Sequence, residues 1–380
     1  MKLMWLFLSV ILLISLFSTI IYIHYSFEQK ESEKKFFFGV SFGLNTTTEA
    51  RLLIDKVKGY TNLFIINSWE ISTNETALNE ICDYAVDAKM NFIVFFDYLS
   101  HIAYPWHLRW LETATERWKN HFMGVYLYDE PGGRQIDLGR WDEGIIYKNI
   151  SDYSKAADFF VTSISATWSM QDLKNRNIQV FTSDYALYWF DYLAGYDTVF
   201  VELGWNHSRI QQIALGRGAA TLQDKEWGAI ITWTYQNTPY LENGTKILED
   251  MITAYRAGAK YIIIFNYPQT NPYGILEEEH FNAMATFWNM TRSFPQNSLE
   301  KIEGEVAFVL PKDYGWGLRR SNDNIWFPEW GPDDLSLQIW NSMNKLVDMY
   351  DLRLDIIYND TRFDFEEKYS SVYFWNEIID

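Results

Sequence analysis

Eight short apolar runs, each closing on polar or aromatic residues, organise the middle of the chain. They cover 36–43, 62–68, 91–98, 122–130, 178–184, 197–205, 227–235 and 260–268, and their continuous hydrophobicity predicts strands buried on both faces. Between most of them apolar residues recur at i, i+3 and i+4, as from Ala77 to Ala88 and from Ile247 to Ala257, which predicts amphipathic helices. Gly258 is a C-cap candidate directly ahead of the eighth run. Strand alternating with helix implies a parallel sheet, and eight such units imply closure, so the fold expected is α/β, a TIM (β/α)8 barrel. The stretch 158–165 is apolar enough for a strand, which would turn 178–195 into an insertion and take Asp184 away from a strand end. Tyr153, Ala156, Ala157, Phe160 and Ile164 recur at helical spacing, however, and the reading adopted is one long helix over 151–175.

The pattern restarts near Glu303 with strands at 305–311, 352–360 and 370–378, a Trp/Gly/Pro-rich excursion reaching Pro332 and an amphipathic helix at 337–350. This predicts a small C-terminal α/β unit packed on the barrel. At the other end, Met4 to Ile23 is an apolar run of bilayer-spanning length preceded by Lys2, and no small-x-small pair follows it. It reads as an uncleaved N-terminal transmembrane helix, a signal-anchor, with secretion after signal cleavage as the alternative. The domains expected are thus 1–27 span and flank, 28–35 charged linker, 36–300 barrel and 301–380 accessory unit.

Sequons begin at Asn45, Asn74, Asn149, Asn206, Asn243, Asn289 and Asn359, all beyond the apolar run, which puts the C-terminal body outside the cell in a single-pass membrane protein. A formal charge of −18 argues against a nucleic-acid partner, because phosphate backbones are bound by clustered Lys and Arg. The single cysteine, Cys82, excludes an intrachain disulfide, and the spacing of Leu78, Ile81, Tyr84 and Ala85 around it predicts a buried thiol. The six histidines lack metal-ligand spacing, and neither a G-x-S-x-G elbow nor a phosphate-cradling glycine loop occurs, so no metal and no organic cofactor is expected. The segment from Arg217 to Ala229 follows no strand directly and reads as a helix end.

Chemistry is expected at the C-terminal ends of the strands, where a barrel places its active site. Those ends carry Trp69 after strand two, Asp97 after three, Asp129 and Glu130 after four, Asp184 after five, Glu202 and Trp205 in and after six, Trp233 and Tyr235 after seven, and Asn266 after eight. Carboxyls together with aromatic rings are what glycoside hydrolysis requires: one acid protonates the leaving oxygen, a second acts as nucleophile or base, and sugar faces stack on rings. Glu130 is the candidate general acid, crowded by Asp129 and Tyr128 at the end of an apolar strand. The plainer reading of Asp-Glu-Pro-Gly-Gly is a strand-exit turn. Glu202, isolated in an apolar strand, is the candidate nucleophile or base, unless it only holds Arg217 or a backbone group. Asp97 and Asp184 are candidates for orienting sugar hydroxyls, with helix capping as the alternative. Trp69, Trp205, Trp233 and Tyr235 are stacking candidates that could equally be core, and Asn266 completes the substrate-binding set.

With these residues in view, the chain resembles the glycoside hydrolases built on (β/α)8 barrels over about residues 36–295, through YLYDEP at strand four and WGAIITW at strand seven. The C-terminal piece is similar in position to the accessory domain of some barrel β-galactosidases. In the largest clan the nucleophile follows strand seven, where this chain has no carboxylate. Barrel α-galactosidase relatives take their acids from strands four and six, which matches Glu130 or Asp129 with Glu202. The resemblance implies a glycan-cleaving enzyme, which the apolar run Met4 to Ile23 would hold at the membrane, and the missing strand-seven acid keeps a non-catalytic carbohydrate-binding envelope protein as the alternative.

Overall fold

The structure, a computed structural model, describes residues 36–97, 105–139, 150, 152–293, 299–377 and 379. The apolar run Met4 to Ile23, the linker 28–35, Tyr98 and the sequon at Asn149 lie outside the described residues. Among those described, no helix is long and apolar enough to cross a membrane.

Eight parallel strands close in sequence order into a barrel: β1 Phe37–Phe42, β2 Leu63–Ile66, β3 Asn91–Phe96, β4 Phe122–Leu127, β5 Val180–Asp184, β6 Thr198–Leu203, β7 Glu226–Ile231 and β8 Tyr261–Ile264. Every residue of β2, β5, β6 and β8 is buried, because one face lines the barrel and the other meets the helices. The inward positions carry rings. Tyr126 lies 5.4 Å from Phe95 and 6.2 Å from Phe200, and Phe200 lies 5.7 Å from Phe181 and 5.8 Å from Tyr261. Room for them comes from Gly124 and Gly228, where an added Cβ would sit 2.9 Å from the Phe181 ring and 2.8 Å from the Phe200 ring. Period-two alternation then fixes which polar groups share that interior: Ser183 has the parity of Phe181, and Glu202 that of Phe200.

The helix-to-strand turns at the floor repeat one device. Lys89, Asn177, Asp224 and Gly258 adopt positive φ after their helices. The next residue donates back five positions, Met90 to Ala85, Ile178 to Leu173, Lys225 to Ala220 and Ala259 to Ala254, at 2.9–3.0 Å. Gly258 has its expected role, and three non-glycine residues do the same work. The expected long helix 151–175 is two, Tyr153–Ser165 and Trp168–Asn175. Thr167 ends the first run, its hydroxyl accepting from the Met170 amide as an N-cap.

The C-terminal unit forms a parallel three-stranded sheet in the order β10-β9-β11, with β9 Val306–Leu310, β10 Leu354–Tyr358 and β11 Ser371–Phe374. The helix Ser336–Tyr350 packs on it. The sheet also seats on the barrel helix Arg209–Leu222, in which eleven residues are buried. Small residues permit that double contact. A Cβ on Gly216 would lie 2.1 Å from Val201 of β6, and one on Gly218 would lie 2.7 Å from the Ile356 carbonyl of β10. The segment read as a helix end from Arg217 onward therefore starts inside this helix. Arg217 is the fastener. Its Nε donates to Asp355 of β10 at 2.7 Å, and its other nitrogens donate to the carbonyls of Ile302, Leu352 and Leu354. The excursion 311–332 lies over the helices that follow β4, β5 and β6. Trp326 packs against Phe160 and Phe190 at 5.8 and 4.7 Å, while Gln135 and Gln211 donate to the Trp326 and Leu318 carbonyls.

Breaking a buried ion pair from one side strands the other charge and typically costs about 3–5 kcal/mol. Arg217→Met is expected to lose that much stability in urea unfolding, with part recovered in the Arg217→Met, Asp355→Asn double variant. A loss below about 1 kcal/mol, the range of a solvent-screened pair, would mean that Arg217 does not fasten the two sheets.

Candidate active site

The chain leaves β4 through two non-glycine residues in the left-handed region, Tyr128 at φ 55° and Glu130 at φ 50°. Each costs about 1–2 kcal/mol, so the surroundings must over-determine them. The Glu130 amide donates to the Ser183 carbonyl at 3.2 Å. Pro131 then starts the helix Pro131–Leu138 at the position where a missing N–H is harmless. The two glycines are needed for close approach: a Cβ on Gly132 would meet the Ala186 carbonyl at 2.5 Å, and one on Gly133 would enter the Tyr185 ring. Asp-Glu-Pro-Gly-Gly is thus a strand exit and a helix start at once, with its acids turned into the mouth of the barrel.

Glu130 meets Glu202 there. The two carboxyls lie close enough to share a proton. Glu202 is 3% exposed, and its Oε1 accepts from Ser183 Oγ at 2.8 Å. Its Oε2 is buried and receives no N–H or hydroxyl proton, so the proton of the neighbouring acid is what remains to satisfy it. Asp129 joins the group through Tyr126, whose hydroxyl lies 2.5 Å from Asp129 Oδ1 and 2.7 Å from Ser183 Oγ. Among the described residues no ion pair reaches any of these acids, and Arg217 serves Asp355 instead of Glu202.

Burial without an ion-paired cation drives the electrostatics, and the Arg134 charge only offsets part of it at Asp129. Burial raises Glu130 well above the usual carboxyl range, and the charges of Glu202 and Asp129 add to the rise. Glu202 is pushed up to about 8, first by burial and then by the Asp129 charge, against the hydrogen bonds from Ser183 and Glu130. Asp129 is raised by burial, with the Tyr126 bond opposing. The group therefore holds protons through neutral pH.

The remaining predicted residues divide. Asp184 is fully buried and faces away from the barrel axis. Its Oδ1 accepts from the amides of Gly133, Tyr185 and Ala186 and its Oδ2 from Gly132, so it ties the β4 exit to the β5 exit instead of meeting a sugar. Asp191, on the next helix, is held well above the carboxyl range, chiefly by burial and then by the Asp184 charge. Asn266 is also spent inside: its amide donates to the Tyr273 carbonyl and accepts from Ile275, bracing the loop after β8. Trp205 and Trp233 do come together, with ring centroids 5.9 Å apart, and Trp233 stacks on Tyr267 at 6.4 Å and 15°. The half-exposed Trp233, with Tyr267 at 46% exposure, makes an aromatic shelf over the ends of β6 to β8. Tyr235 is exposed, its hydroxyl donating to Glu242. Trp69 is exposed at the start of the short helix after β2, and Asp97 is half-buried at the end of β3. Sequence reasoning passed over Tyr126 and Ser183, whose signal was the inward parity they share with the rings and with Glu202.

No family model and no curated protein matches this chain. Solved structures resemble it in fold. α-L-fucosidase isoenzyme 2 from Paenibacillus thiaminolyticus aligns at 11% identity and a TM-score of 0.52, over 88% of this chain and 59% of its own. An endo-β-1,4-mannanase from Thermotoga petrophila aligns at 8% and 0.44, over 72% and 82%, and a glycoside hydrolase family 17 β-1,3-glucanosyltransferase from Rhizomucor miehei at 12% and 0.39, over 63% and 90%. At such identities the likeness establishes the (β/α)8 barrel and nothing finer.

The raised Glu202 value sets a sign for stability. Native Glu202 keeps its proton from the ordinary value near 4.5 up to about 8, where the unfolded chain has lost it, so its contribution falls as pH rises through that window. Glu202→Gln is expected to be more stable than the parent at pH 8 by at least about 1 kcal/mol, with the gap closing toward pH 4. Thermal unfolding at pH 4, 6 and 8 reads this, and an unchanged pH slope would contradict it.

Proposed function

We propose that this chain is a glycoside hydrolase in which Glu130 protonates the glycosidic oxygen and Glu202 attacks the anomeric carbon or activates water. The observation that carries this reading is the contact of two uncompensated acids from β4 and β6 at the C-terminal mouth of the barrel. Such a pair cannot ionise together, so one member stays an acid while the other can become a base, which is the division of labour that glycoside cleavage needs. The aromatic shelf of Trp205, Trp233 and Tyr267 supplies a face for a sugar ring. With no ion pair to Asp129, Glu130 or Glu202 among the described residues, the mouth suits neutral glycans over uronic or sulfated ones. A substrate must part the two carboxyls, since retaining pairs stand about 5–5.5 Å and inverting pairs about 6.5–9.5 Å apart.

The same contact supports a second reading, a carbohydrate-binding barrel without hydrolysis, because the carboxyls touch where an open cleft would hold them a sugar's width apart. For placement, we propose a single-pass membrane protein anchored through Met4 to Ile23 with its body outside the cell. Five described sequon asparagines, Asn45, Asn74, Asn206, Asn243 and Asn289, are exposed and accessible to a glycan. Asn74 and Asn243 cap helices through Oδ1, which leaves Nδ2 available.

Glu130→Gln in the full chain is expected to lower turnover on a native neutral glycan by at least about a hundredfold, with the fold retained. Unchanged turnover would refute the assignment, and a parent chain that binds glycans without releasing products would establish the binding reading. Trp233→Ala is expected to raise KM roughly tenfold with kcat little altered, the scale of one lost stacking contact; a fall in kcat alone would remove the shelf from substrate binding.

A further inference from the structure

Three contacts run in series through the acid cluster. Asp129 Oδ1 lies 2.5 Å from Tyr126 Oη, Tyr126 Oη lies 2.7 Å from Ser183 Oγ, and Ser183 Oγ lies 2.8 Å from Glu202 Oε1. Each contact requires one proton. Tyr126 and Ser183 bring one each, so Asp129 and Glu202 must together hold the third and carry a single negative charge between them. The backbone N–H of Ser183 donates to Tyr126 Oη at 3.1 Å, which holds the phenol oxygen in line and leaves it one further acceptor position.

Only two arrangements fill all three contacts. In one, Asp129 is protonated and donates to Tyr126, Tyr126 donates to Ser183, and Ser183 donates to an ionised Glu202. In the other, Glu202 is protonated and donates to Ser183, Ser183 donates to Tyr126, and Tyr126 donates to an ionised Asp129. From the second to the first, Glu202 gives its proton to Ser183 Oγ, the Ser183 proton passes to Tyr126 Oη, and the Tyr126 proton passes to Asp129. The reverse shift takes one proton from Asp129 to Glu202, with no charge created or lost.

We propose that Tyr126 and Ser183 are a proton relay joining Asp129 to Glu202, through which Asp129 takes up the Glu202 proton and leaves Glu202 ionised beside Glu130. Both relay residues are positioning residues, because they are buried and act through Glu202. The use of this charge state in glycan cleavage rests on the function proposed above; the relay itself does not. Its members sit on three neighbouring strands, with Tyr126 in β4, Ser183 in β5 and Glu202 in β6, all on the inward face. The other ionisable groups that act on Glu202 and Asp129 are Glu130 and Arg134 from the β4 exit and its helix, Asp184 from β5 and Tyr188 from the helix Tyr188–Ala194.

The test is a titration that needs no substrate. In the full chain labelled with carbon-13 at glutamate carboxyls, the Glu202 signal is assigned by its loss in Glu202→Gln, and its midpoint is followed with and without Asp129→Asn. A relay requires Asp129→Asn to move the midpoint by more than about one pH unit. The movement should shrink to less than half when Ser183→Ala is added, since that change cuts the chain but leaves the Asp129 to Tyr126 contact in place. Ser183→Thr, which keeps the hydroxyl, should restore it. An equal movement with and without Ser183→Ala would overturn the relay, because through-space repulsion alone does not need the hydroxyl. If Ser183→Ala does not fold, Tyr126→Phe makes the cut from the other side and is judged by the same comparison. Failure to cleave any glycan would refute the enzymatic reading and leave the titration result standing, whereas hydrolysis with an uncoupled titration would refute only the relay.

Discussion

Two carboxyls pressed together inside a barrel, with no ion-paired cation beside them, govern the rest of this molecule. Glu130 and Glu202 can be adjacent only while a proton lies between them, and that condition propagates to every neighbour they touch. Ser183 must direct its hydroxyl at Glu202, Tyr126 must orient to Ser183 and Asp129, and the backbone must bring Glu130 inward through a left-handed turn. Each of these costs free energy that a closed apolar barrel can offset.

Cations are present nearby but are committed elsewhere. Arg217 is consumed by Asp355 and four carbonyls at the seam between barrel and C-terminal sheet. Arg319, reaching from the C-terminal excursion, donates to Asp137 and Asp323 and lies over the Tyr185 ring at 5.4 Å. Tyr185 in turn sits against Gly133 of the β4 exit and donates to Asp137. The C-terminal unit thus braces the helix Pro131–Leu138, whose N-cap is Glu130, and Arg319 holds that brace through Asp137. Asp184 performs the matching task from within, gathering four amides so that the exits of β4 and β5 move as one piece.

The barrel was legible because its signals are local. A strand buried on both faces must be apolar throughout, and a helix between two strands must be apolar on one stripe, so strand order and the β9-helix-β10-β11 unit could be read directly. The acids at the β4 and β6 ends were legible for a related reason, since a lone Glu in an apolar strand is costly unless it is used. Where local signals compete, the reading slipped: Thr167 splits the helix expected over 151–175, and the Arg209–Leu222 helix is buried nearly all round because a second sheet covers it.

Amino-acid order by itself determined the eight-fold alternation, the polar residues at strand ends and the excess of negative charge, all of which follow from periodicity and composition along one dimension. Tertiary structure alone decided which of those residues face each other. Asp184 and Glu202 both close apolar strands, yet strand parity and barrel closure send the first outward to backbone amides and the second inward to Glu130. A meeting of residues about seventy positions apart depends on shear and register, and no spacing within a strand encodes either.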